Sequence, residues 1–176
     1  FMHGSFTHLF FNMFALWMFG KTLENVWGAK RFLIYYIFTG LGAAVLHLCV
    51  SQYQIFQLAN NIPEILELAK QGLYNTGNVN SFKLTQLVTT PTVGASGAVF
   101  GILLAFGMLF PNTLLYIYFA IPVKAKYFVM IYGALELYSG LSNNPADNVA
   151  HFAHLGGMIF GFLLIKYWQK NNTQFY

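Results

Sequence analysis

The strongest constraint on this chain is a series of long apolar runs with few or no charges: Phe6–Gly20, Phe32–Val50, Gly94–Phe110, Tyr127–Leu141 and Val149–Trp168. Runs of this kind are read as bilayer spans, and in hydrocarbon a span must satisfy its own backbone hydrogen bonds, so each is expected to be a helix. Only 8% of residues are charged, against about 25% in a soluble domain, which excludes a soluble fold. The expected class is an all-α polytopic membrane protein with one membrane domain over residues 1–176. The net charge of +4 is dispersed, so no nucleic-acid partner is expected. A single cysteine, Cys49, allows no internal disulfide and is read as a packing residue.

Between the runs, Lys21–Arg31 forms a charged connection around Gly28. Residues 51–93 shift to Gln, Asn, Thr and Ser and read as a long extramembrane connection. Inside it, Ile62, Ile65, Leu66, Ala69 and Leu73 fall at helical spacing after Pro63 and Glu64, which predicts a short amphipathic helix. Leu114–Ile121 is apolar but too short to cross, and Pro122, Lys124 and Lys126 follow it at once, so it is expected to lie at the surface. Residues 142–148 form a polar turn in which Asp147 reads as a helix N-cap.

If the spans alternate, Lys21, Lys30, Arg31, Lys124, Lys126, Lys166 and Lys170 share one side, and only Lys70 and Lys83 lie on the other. Basic residues gather on the cytoplasmic side, so the C-terminus is expected in the cytoplasm and the 51–93 connection outside. His8, Asn12, Ser96, His151 and His154 then fall in the outer halves of their helices. Polar groups at such depth are costly and point to function.

The spacing of these groups suggests a reaction. His8 and Asn12 are four apart and share a helix face. Gly157 and Gly161 continue the stripe that His154 begins, and Gly97 and Gly101 accompany Ser96. Glycines in those registers let backbones approach closely, which a serine oxygen and an imidazole nitrogen need in order to hydrogen bond. The expected roles are Ser96 as nucleophile and His154 as general base. The free N–H groups at the start of the Ser96 helix, with His8 and Asn12, would stabilise an oxyanion.

On these residues the chain resembles the rhomboid intramembrane serine proteases. Gly94-Ala95-Ser96-Gly97 is similar to their GxSG motif, Ala153-His154 with Gly157 and Gly161 to AHxxGxxxG, and His8-xxx-Asn12 to HxxxN. The resemblance covers nearly the whole chain. It implies a rhomboid-like helical bundle, a Ser96–His154 catalytic dyad, an oxyanion site including His8 and Asn12, and Phe100 packed on the histidine. Glu24 and Gly28 match a structural feature of that family. The family core has six spans, and the five found here imply that the first is missing, in keeping with a chain that starts at Phe1 and enters almost at once into a helix. The implied substrates are transmembrane helices of other proteins in the lipid bilayer, cleaved near the outer leaflet, with no cofactor and no metal. The 51–93 connection is longer than the resemblance implies.

Other residues compete for roles. His151 lies one turn before His154 but lacks its glycine register, His3 stands outside the HxxxN pair, and His47 is alone in its span. Glu136, inside the fourth span, is expected to pair with a tyrosine or water. A non-catalytic membrane scaffold would have lost Ser96 or His154, and a metal or proton transporter would need more compact histidine spacing than the sequence offers.

Overall fold

The computed structural model describes residues 5–61, 71, 79–89, 95–117, 120–142 and 150–171. The Ile62–Leu73 helix, apart from Gln71, lies outside the described residues, as do His3, Gly94 and Asp147. The element order is α1 (Phe6–Ala15), a π-helical turn (Leu16–Gly20), α2 (Lys21–Trp27), α3 (Ala29–Asn61), α4 (Val79–Thr89), α5 (Ser96–Leu109), β1 (Leu114–Ile117), β2 (Ile121–Lys124), α6 (Ala125–Ser142) and α7 (His151–Asn171).

The first helical segment does not stop at Gly20–Lys21 as the sequence suggests. The backbone stays helical through the π turn and α2, burying Phe19, Leu23 and Trp27. It breaks at Gly28, whose φ of 77° lies in the left-handed region that favours glycine. The second run also extends further than expected, because α3 continues past Val50 to Asn61. By length and composition Ala29–Asn60 is long and apolar enough to cross a membrane, whereas α5 is apolar but shorter. Cys49 is exposed on α3 rather than packed inside.

Helices α3, α5 and α7 form the centre, with α1, α2, α4 and α6 around them. The central contacts turn on small residues. A Cβ on Gly97 would strike Ala43 of α3, and one on Gly157 would strike the carbonyl oxygen of Gly97. Below them, Tyr35 and Thr39 of α3 fill the space left by Gly101 and Gly161, with Thr39 Cβ 2.7 Å from where a Gly101 Cβ would stand. The Tyr35 hydroxyl donates to the Gly101 carbonyl at 2.8 Å, and Thr39 donates to the Tyr35 carbonyl at 2.9 Å. Phe19, Leu23, Trp27, Phe106 and Ile165 extend this core toward the far end of α7.

The outward faces are apolar. On α3 alone Leu33, Ile34, Ile37, Leu41, Val45 and Leu48 are exposed. Apolar exposure on this scale is foreign to a soluble monomer and fits a lipid surround.

Among the described residues, the fold departs from all-helical at one place. Leu114–Lys124 is an antiparallel hairpin with Leu114 opposite Lys124 and Ile117 opposite Ile121. Pro122, which has no N–H to give, pairs across from Tyr116 in this two-stranded ribbon. The Ala125 N–H bonds the Thr113 carbonyl at 2.8 Å and closes the hairpin onto α6. In the polar connection, α4 buries Ser81, Leu84 and Thr85, three residues at helical spacing, and packs on α3.

Candidate active site

Ser96 is the first residue of α5, after Ala95 as N-cap, so no side chain caps the start of this helix. Its hydroxyl points at α7, where His154 Nε2 lies 2.8 Å from Ser96 Oγ. The approach depends on the missing side chains nearby: the Gly97 carbonyl rests on Gly157, so α5 and α7 touch through backbone. The Phe100 ring, one turn along α5, stacks on the His154 ring with centroids 4.0 Å apart and planes 7° from parallel. His154 is buried, and Ser96 is half-buried.

The other nitrogen of His154 has a partner that the sequence reading assigned elsewhere. Glu136 of α6 takes two histidines as partners. Its Oε2 lies 2.8 Å from His154 Nδ1 and 2.7 Å from His151 Nδ1. His151 is therefore drawn to the same carboxylate instead of to Ser96. The signal was available in Gly133-xx-Glu136-xxx-Gly140, a stripe on one face of α6. A Cβ on Gly133 would sit 3.1 Å from Met158, and one on Gly140 3.2 Å from Phe152 and 3.3 Å from His151. These glycines bring the carboxylate up to the histidines.

The fold thus assembles a donor set that histidine spacing along the chain does not reveal. Glu136, His151 and His154 each offer one ligand atom within 4.8 Å of the others. The two hydrogen-bonded separations are shorter than the roughly 3.3 Å between ligands of a tetrahedral ion bound at about 2.0–2.1 Å, so these atoms are spaced for shared protons.

The HxxxN pair sits on α1, which packs lightly on α5. Asn12 is buried, and its Nδ2 donates to the His8 carbonyl at 2.8 Å, while its Oδ1 has no partner. One amide N–H of Asn12 remains beyond that bond. Ser5 caps the helix by accepting from the His8 N–H at 3.1 Å. His8 and Asn12 therefore belong to the α1 flank, and the described side-chain bonds at Ser96 run to His154 and on to Glu136 and His151.

A helical bundle with lipid-suited outer faces, holding a serine and a histidine in hydrogen-bond contact, defines the class as a helical membrane protein. The rhomboid domain model matches residues 1–170, and the chain belongs to the rhomboid family, whose members are integral membrane proteins. It is 28% identical over 97% of its length to the mitochondrial Rhomboid protein 1 of Saccharomyces cerevisiae. It is 29% identical over 93% to Rhomboid protease AarA of Providencia stuartii, and 27% identical over 93% to the putative rhomboid protease YdcA of Bacillus subtilis. The chain spans 40%, 51% and 61% of those three relatives' own lengths. No solved structure matches it significantly.

Proposed function

We propose that the chain is the catalytic part of an intramembrane serine endopeptidase that cleaves transmembrane helices of other proteins. The observation that carries this reading is the 2.8 Å contact between Ser96 Oγ and His154 Nε2 inside an apolar bundle. A scaffold without catalysis has no need to place these two groups in bonding contact, beneath an aromatic stack that holds the ring.

In this reading Ser96 Oγ attacks the scissile carbonyl carbon and His154 Nε2 takes its proton. The oxyanion is met by N–H groups at the start of α5, with Asn12 and His8 contributing from α1. The C–N bond breaks as Nε2 protonates the leaving amine, and an acyl-enzyme on Ser96 remains. Water then attacks this ester with the same nitrogen as base. The substrate must unwind locally, because a helix hides its carbonyls in its own hydrogen bonds. The charge asymmetry and the apolar runs further support five spans, a cytoplasmic C-terminus and cleavage near the outer leaflet.

The decisive measurement is cleavage of a transmembrane reporter by the complete protein in proteoliposomes. Ser96→Ala is expected to abolish cleavage, along with labelling by a fluorophosphonate probe. Unchanged cleavage in that variant would remove serine protease activity from consideration.

A further inference from the structure

We infer that Glu136 is a positioning residue that orients His154 toward Ser96, with His151 holding its carboxylate in place. The inference rests on the protease reading and adds to it the group that sets the state of the base. An imidazole that accepts the serine proton at Nε2 must carry its own proton at Nδ1, and neutral imidazole can place that proton on either nitrogen. An ionised carboxylate accepts hydrogen bonds and donates none. With Oε2 2.8 Å from His154 Nδ1, Glu136 selects the tautomer whose Nε2 lone pair faces Ser96. When Nε2 takes up the serine proton, the same carboxylate faces the imidazolium that results.

The placement is built into the fold. Gly133 and Gly140 flank Glu136 on the face of α6 that meets α7, and each accommodates a side chain of α7. A carboxylate is expensive to keep in a membrane helix, and here it receives two N–H groups on one oxygen, from His154 and His151. The second donor fixes the direction of the carboxylate. Around this cluster, Tyr132 of α6 lies within electrostatic range of Glu136, and His47 of α3 within range of His154.

The test uses the full chain in proteoliposomes with the transmembrane reporter. Glu136→Gln is expected to lower kcat by about 10²–10⁴-fold, the scale set by removing the carboxylate from a serine–histidine–aspartate site, with KM held within about threefold. Glu136→Asp, which restores the charge on a shorter arm, is expected to recover at least about tenfold over Glu136→Gln. His151→Ala is expected to cost less than about tenfold, since Glu136 keeps its bond to His154. Independently of cleavage, nitrogen-15 NMR of the histidines should find His154 protonated at Nδ1 in the wild type and redistributed toward Nε2 in Glu136→Gln.

The inference is overturned if Glu136→Gln keeps kcat within threefold, if its loss lies in KM, or if the tautomer does not move. Loss of wild-type activity on adding a chelator would overturn it in favour of a metal on the same three donors. If Ser96→Ala cleaves like the wild type, the protease reading fails first, and the tautomer measurement still reports whether Glu136 orients His154.

Discussion

The two joints that bring the site together are made of different material. Between α5 and α7 backbone meets backbone, with the Gly97 carbonyl against Gly157. Between α6 and α7 glycine meets side chain, with Gly133 against Met158 and Gly140 against Phe152. The first joint has nothing to rearrange, so the distance from Ser96 to His154 is set by the thickness of two main chains. The second can adjust through the rotamers of Met158 and Phe152, so the reach of Glu136 depends on packing that gives. Ser96 and His154 are held stiffly, and the Glu136 carboxylate behind them more compliantly.

The largest expected effect comes from filling the stiff joint. Gly157→Ala places a methyl group where the Gly97 carbonyl stands. The helices must part, and a misplacement of about 1 Å between reacting groups costs on the order of 100-fold in rate. Reporter cleavage should fall by about that factor, with a lower thermal midpoint in detergent from overpacking of about 1–3 kcal/mol.

An intermediate effect is expected one turn deeper. Tyr35→Phe removes the second donor to the Gly101 carbonyl, which keeps its bond within α5, a loss of about 0.5–1.5 kcal/mol read by thermal unfolding. Cleavage measured below the midpoint should drop far less than in Gly157→Ala, because the Gly97–Gly157 contact survives.

The smallest effect belongs to the compliant joint. The Met158 methyl can swing away from a Gly133→Ala methyl group, so stability should change by under about 1 kcal/mol and cleavage by less than about fivefold. If Gly133→Ala proves as damaging as Gly157→Ala, the distinction between the two joints is wrong.

What the sequence made legible follows the same division. Ser96, His154 and the Gly97 and Gly157 register could be read because short-range spacing along two helices determines them, and Phe100 followed from the resemblance. Glu136 was harder to place because its partner depends on how α6 is rotated about its own axis, and no residue count along the chain fixes that angle. His151 was judged by its distance from the glycine stripe, although its partner lies on another helix. The continuation of α3 past Val50 was obscured because Gln52, Gln54 and Gln57 end the apolar run without ending the helix, glutamine being a good helix former. The hairpin at Leu114–Lys124 is four residues a side, too short for alternation to separate it from an apolar surface segment. The π turn at Leu16–Gly20 leaves no mark in the pattern of apolar residues.

The stack of Phe100 on His154 has a further consequence for any peptide that reaches Ser96. With one face covered at 4.0 Å and both nitrogens engaged, the imidazole cannot flip between receiving a proton and passing it on. The nitrogen that deprotonates the serine is then the one that must reach the departing amine. On the protease reading, a bound strand has to present its scissile nitrogen on the His154 side of Ser96, so only one of the two N-to-C directions across the serine is productive. A peptide laid in the opposite sense would rest against Ser96 uncleaved.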